Sequence, residues 1–121
     1  MKKVMIVDDA ATIRCGIRQG LESGGFTVIE AENGSVALDF IQQNPIDCLV
    51  TDLNMPVMDG LQLVERVRKL PGCRFIPVIM LSSEDKAEFY DTAKKNGIST
   101  WLAKPFEPST LTKLVRALTS F

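Results

Sequence analysis

Histidine is missing altogether from this 121-residue chain. Its absence removes Ser-His-Asp and Cys-His catalysis and the usual histidine zinc sites. Any proton or phosphoryl chemistry must therefore run on carboxylates, lysine and hydroxyls. Cysteine is sparse: Cys15, Cys48 and Cys73 are odd in number, far apart, and form no CxxC pair. That is the pattern of reduced thiols packed as small hydrophobes. Neither sign of charge is in excess, since fourteen basic residues face fifteen acidic ones, and the electrostatic footprint of a nucleic-acid binder is lacking. Long apolar runs are absent too. The N-terminal "MKKVMIVDD" is too short in its apolar part for a signal peptide, and no segment approaches a membrane span. These absences lead us to expect a cytoplasmic, monomeric protein without nucleic-acid or membrane partners.

What is present is ordinary globular composition, 45% hydrophobic and 24% charged, in a length that suits a single domain over residues 1–121. Linkers, repeats and low-complexity tracts are lacking. "KVMIV" (3–7), "CLV" (48–50) and "IPVIML" (76–81) are short, nearly continuous and apolar, as strands covered on both faces are. "TVIEA" (27–31) and "STWLA" (99–103) are weaker and suit the edges of a sheet. Helical spacing falls between them. Ile13, Ile17 and Leu21 recur after Asp9 until Gly24-Gly25. Gly16 and Gly20 each weaken this helix by about 1 kcal/mol relative to alanine, so packing must hold it. Ala37, Phe40 and Ile41 mark a helix over 35–43, and Leu63, Val64, Val67 and Leu70 one over 61–70. Ala87, Tyr90 and Ala93 mark a more polar helix over 85–95. Leu111, Leu114, Val115 and Leu118 give the clean final face after Pro108.

Strand and helix thus alternate five times. Helical crossovers demand a parallel sheet, so the expected fold is α/β, a doubly wound five-stranded parallel sheet with five helices. All the carboxyl ends of parallel strands lie along one edge, where open α/β sheets bind ligands. The residues just past the strands are Asp8-Asp9, Asp52, Ser82-Ser83 and Lys104-Pro105, while Glu32-Asn33-Gly34 reads as turn and helix cap. Three carboxylates in a small cleft repel one another unless a cation neutralises them. An oxygen-only donor set suits a hard divalent ion, Mg²⁺ best. A lysine and a hydroxyl would serve the other oxygens of a phosphoryl group, and an aspartate can be the nucleophile. Taken singly, each residue has a plain structural reading as cap, turn residue or solvated lysine. Their convergence on one rim is what favours a site. Asp59, before Gly60 at the start of the third helix, reads as turn and cap instead.

The motifs "VDDAATIR", "TDLNMPVMDG", "MLSSE" and "WLAKPF" together resemble the receiver domain of two-component response regulators, in particular the stand-alone chemotaxis, CheY-like type. The resemblance covers essentially the whole chain. It implies the flavodoxin-like strand order 2-1-3-4-5, which the spacing alone does not supply. It also implies that Asp52 accepts a phosphoryl group from a histidine on a sensor histidine kinase. Asp9, Asp52, Asp8 largely through water, and the backbone carbonyl of Asn54 would hold Mg²⁺. Ser82 and Lys104 would contact the phosphoryl oxygens, with a cis Lys104–Pro105 bond. Ser82 and Trp101 would form the switch, reshaping the surface of the fourth helix, fifth strand and fifth helix for a target such as a flagellar motor switch component. Asn54 and Glu84 would tune attack by water. For Trp101 the plain alternative is a partly exposed edge-strand aromatic. The sequence departs from the family at Ala10 and Ala11, where a serine is frequent, and at Ser83, where alanine is.

Two rival classes remain. A phosphatase of the haloacid-dehalogenase type needs an acidic residue two positions after its aspartate nucleophile, and Asn54 stands there. A receiver-fold interaction module that is never phosphorylated usually lacks a site residue, and none is missing. A phosphorelay intermediate outside chemotaxis would use the same residues. Walker A and GxGxxG turns are absent after the first strand. The expectation is a receiver without an output domain, catalysing only its own phosphorylation and dephosphorylation.

Overall fold

The computed structural model describes residues 2–82 and 97–120. Along them run β1 (Lys3–Val7), α1 (Ala11–Ser23), β2 (Thr27–Ala31), α2 (Gly34–Gln43), β3 (Cys48–Asp52), α3 (Gly60–Val67), β4 (Val78–Ser82), β5 (Thr100–Ala103) and α4 (Pro108–Leu118). The strands form one parallel sheet in the order β2-β1-β3-β4-β5, as expected. Four helices, rather than five, stand among the described residues. The helix expected over 85–95, with Ala87, Tyr90 and Ala93, lies outside them, as do Ser83 and Glu84.

Successive residues of a strand point to opposite faces, and here both faces are covered. Met5, Val7, Leu49 and Met80 pack with Ala37, Ile41, Leu63 and Val64 of α2 and α3. Val4, Ile6, Val50, Ile79 and Leu81 pack with Ile17, Leu21, Leu111 and Val115 of α1 and α4. All five residues of β3 and of β4 are buried, while β5 is half-exposed. The near-continuous apolar runs were therefore central strands, and "STWLA" an edge.

Two boundaries differ from the sequence pattern. β4 begins at Val78, not Ile76, because Pro77 has no N–H to give the ladder. The Ile76 carbonyl is instead taken by Arg68 Nη1 at 2.7 Å. The regular part of α3 stops at Val67, with Leu70 held in a following turn by its N–H on Val67 O at 3.0 Å. Gly20, a weakness for α1 taken alone, is where α4 crosses it. A Cβ there would lie 3.1 Å from Pro108 Cβ and 3.3 Å from Thr112 Oγ1, so close helix approach explains the glycine.

Among the described residues no helix is long and apolar enough to cross a membrane. Leu63 is fully buried between α3 and the sheet. Its replacement by alanine should remove about 2–5 kcal/mol of stability, read as a lower urea midpoint at unchanged slope.

Candidate functional site

Register brings the site residues together. Val7 pairs with Thr51, so Asp8 and Asp52 leave adjacent strands side by side. Ser82 pairs with Ala103, which puts Lys104 one step beyond β5. Asp8 is 1% exposed and bonded at every polar group. Its N–H donates to Ala31 O at 3.2 Å, its Oδ1 accepts from Ala10 N at 2.9 Å, and its Oδ2 accepts from Lys104 Nζ at 3.2 Å. Lys104 Nζ also lies 3.1 Å from Asp52 Oδ1. Asp9 is exposed and makes no ion pair among the described residues. One carboxylate oxygen from each of Asp8, Asp9 and Asp52 lies within 4.8 Å of the other two.

Among the described residues, three carboxylates against one ammonium leave two negative charges, which one divalent cation balances. The donors are all oxygen, with two of the three carboxylates buried, so the cluster fits Mg²⁺. Burial, first, and the charge of Asp8 push the Asp52 carboxyl above its ordinary range, and Lys104 opposes them. For Lys104 burial is the largest single influence and pulls the ammonium down. Asp52 and Asp8 together outweigh it and hold it above the usual lysine range. Ser82 is buried at the end of β4, and its carbonyl accepts from Lys104 N at 3.0 Å. The Lys104–Pro105 bond is cis, as the resemblance implied. Beside it a largely apolar cleft of about 480 Å³ opens between Ile13, Ile17 and Phe106.

Asn54 is exposed on the loop after β3, and Trp101 is partly buried on β5 against the core formed with α2 and α3. Asp59 caps α3, accepting from Gln62 N at 2.8 Å while its own N–H donates to Gln62 Oε1 at 3.0 Å. Its role is structural, as its sequence setting suggested. Gly60 is required by proximity, since a Cβ would collide with the Asp52 carbonyl oxygen and lie 2.7 Å from the Met80 sulfur.

Arg14 and Glu30 were not singled out from the sequence. Arg14 Nη1 donates to the Asp8 carbonyl at 2.5 Å, and its Nε lies 3.1 Å from Glu30 Oε1 on β2. Arg18 Nη1 holds the other Glu30 oxygen at 2.6 Å. Arg14 thereby fixes the backbone that carries the acidic pair. The available signal was an arginine one helical turn past Asp9-Ala10 with a glutamate in the neighbouring edge strand.

Over residues 4–116 the chain matches the response regulator receiver domain family. A chemotaxis protein CheY homolog of Campylobacter jejuni is 39% identical over 111 residues, 90% of this chain and 85% of that protein. The chemotaxis protein CheY of Pseudomonas aeruginosa is 35% identical over 117 residues, 96% and 94% of the two chains. The solved structure of Vibrio cholerae chemotaxis protein CheY4 matches with a TM-score of 0.93 at 37% identity, over 98% of each chain. This chain belongs to the response regulator receiver domain family. It is a receiver homologous to CheY proteins, and the two-component class follows from that.

The Arg14–Glu30–Arg18 bridge has a definite pH signature. The hydrogen bond from Arg18, then that from Arg14, hold the Glu30 carboxyl below its ordinary value of 4.5 against the opposing effect of burial. Stability from a depressed carboxyl is present in full above the unfolded value and lost as pH falls through the folded one. The stability gap between wild type and Glu30→Gln should therefore be steady near neutral pH and close as pH drops below 4.5, measured by urea unfolding across that range.

Proposed function

We propose that this receiver takes a phosphoryl group from a phosphohistidine of a sensor histidine kinase onto Asp52 and thereby changes its affinity for a protein target. The observation that carries the reading is the Lys104 ammonium placed 3.2 Å from Asp8 and 3.1 Å from Asp52, in a cluster still carrying two uncompensated negative charges. An Asp52 oxygen attacks phosphorus, the P–N bond breaks, and its electron pair stays on the imidazole nitrogen. Lys104 follows the transferred group, trading its Asp52 oxygen for a phosphoryl oxygen, and the Ser82 hydroxyl donates to another. Bound by Asp8, Asp9, Asp52 and the Asn54 carbonyl, Mg²⁺ would neutralise the carboxylates and polarise a phosphoryl oxygen.

Water attack on the aspartyl phosphate returns Asp52, with Asn54 and Glu84 setting access. The protein acts on no substrate but its own side chain. Movement of Ser82 toward the phosphoryl group and inward rotation of Trp101 select one state of β5 and the neighbouring helices, a population shift. The names of the relatives support a chemotaxis role. A flagellar motor switch component as target and a cytoplasmic setting are our reading of that role.

The test is intact mass after incubation with a small acyl phosphate, with and without Mg²⁺, sampled early. A gain of one phosphoryl group is expected only for wild type with Mg²⁺, and none for Asp52→Ala. No gain in wild type would favour an unphosphorylated interaction module. A gain in Asp52→Ala would move the acceptor elsewhere.

A further inference from the structure

We infer that Arg14 is a positioning residue for the divalent cation. Seated on Glu30 of β2, it holds the Asp8 carbonyl and so aims the Asp8-Asp9 pair, and affinity for Mg²⁺ depends on that link. The inference rests on the proposed binding of Mg²⁺ by Asp8, Asp9 and Asp52.

Asp8 is buried one residue past the end of β1, where its carbonyl needs a donor. Arg14 Nη1 supplies it at 2.5 Å. That oxygen belongs to the planar peptide joining Asp8 to Asp9, so fixing it sets the direction in which the chain enters Asp9. Asp9 has little else to orient it. It is exposed, and its carboxylate makes no ion pair among the described residues. Ala10, at the N-cap of α1, makes no side-chain cap bond either. Two contacts hold Asp8 against the start of α1: Ala10 N on Asp8 Oδ1 at 2.9 Å, and Arg14 on the Asp8 carbonyl.

The link continues to an edge strand. Side chains on a helix lean toward its N-terminus, so Arg14, one turn into α1, reaches back over that turn. Its guanidinium forks, with Nη1 on the Asp8 carbonyl and Nε 3.1 Å from Glu30 Oε1. The single nitrogen of a lysine offers no such fork. Arg18 Nη1 takes the other Glu30 oxygen at 2.6 Å, so Glu30 is held at both oxygens. Ala31, the next residue of β2, accepts from Asp8 N at 3.2 Å. β2 thus holds Asp8 twice, by its N–H directly and by its carbonyl through Arg14.

An ordinary surface ion pair would contribute little. Arg14 differs, because its side chain is 16% exposed against 42% for Arg18 and its tip meets the carbonyl of a buried residue. As a bare charge it would act in the opposite sense. A cation beside the acidic cluster repels Mg²⁺, so its removal would tighten binding. A tether that orients Asp8 and Asp9 does the reverse. Carboxylates left free to swing must be ordered when the ion arrives, and affinity falls. The sign of the change separates the two.

The test is calorimetric titration of the whole chain with MgCl₂ near neutral pH, for wild type, Arg14→Met, Glu30→Gln and the double variant, with melting temperatures alongside. Arg14→Met keeps the stem and removes both charge and donors. Its Kd for Mg²⁺ should rise about tenfold. Glu30→Gln should raise Kd less, and the double variant no further than Arg14→Met, because one link is being cut. In labelling by a small acyl phosphate the same loss should appear as more Mg²⁺ needed for half the limiting rate. An unchanged Kd in Arg14→Met, whatever its melting temperature, would overturn the inference by leaving Arg14 a stabilising contact only. A lower Kd would overturn it by showing that Arg14 acts as a charge. If Arg14→Met does not fold, Glu30→Gln at low and high salt decides in its place. A rise in Kd that persists in salt supports the tether, whereas no rise, or one that salt abolishes, overturns it. Wild type that takes up no Mg²⁺ would overturn the reading of the acidic cluster itself.

Discussion

Like charge crowded at one edge of a parallel sheet is the constraint to which the rest of this molecule answers. Asp8 and Asp52 leave neighbouring strands at the same height, and Asp9 follows directly, so one oxygen from each carboxylate lies within 4.8 Å of the other two. A flexible surface would let such groups drift apart into water. Here Asp8 is bonded at both carboxylate oxygens and at its backbone N–H and C=O, and Asp52 is the last residue of a fully buried strand. Charge that cannot disperse must be balanced. Among the described residues one ammonium, that of Lys104, does this in part.

Why that ammonium belongs to a lysine past β5 follows from sheet spacing. β5 lies two strands from β3, roughly 10 Å at the usual separation. The four-carbon stem of lysine, with a 3.1 Å contact at its end, spans that distance. The strand crossed on the way is β4, and it ends in Ser82. A bulky residue there would stand between the ammonium and Asp52, whereas a hydroxyl leaves the path open and adds a polar group to the same cleft.

Much of this was legible in the sequence, for reasons that are physical. Burial on both faces forces continuous apolar runs, so the central strands declared themselves, and a parallel sheet then collects Asp8, Asp9, Asp52, Ser82 and Lys104 on one rim. The strand order was not in the pattern and came with the family motifs. Arg14 was missed because a long cation on a helix reads as solvated. Only the β1–β2 pairing, which sets Glu30 beside Ile6, shows that it spans to an edge strand. The start of β4 was misjudged because "IPVIML" was read as one apolar run although Pro77 has no N–H for the ladder; that Arg68 takes the Ile76 carbonyl is a tertiary event.

The two ends of the sheet solve the same backbone problem with opposite consequences. At the amino edge one guanidinium, Arg68, gathers the carbonyls of Cys73 at 3.1 Å, Ile76 at 2.7 Å and Gly97 at 2.8 Å. Loop carbonyls that no ladder can use are thereby satisfied within the chain. At the carboxyl edge Arg14 satisfies one carbonyl in the same way, yet the carboxylates beside it remain under-balanced. Whatever binds the folded state and not the unfolded one stabilises the fold by its own binding free energy. A divalent cation entering this edge would relieve repulsion that folding itself imposed. Cation binding would thereby stabilise the folded arrangement, because a cluster free to relax would have no repulsion left for a ligand to relieve.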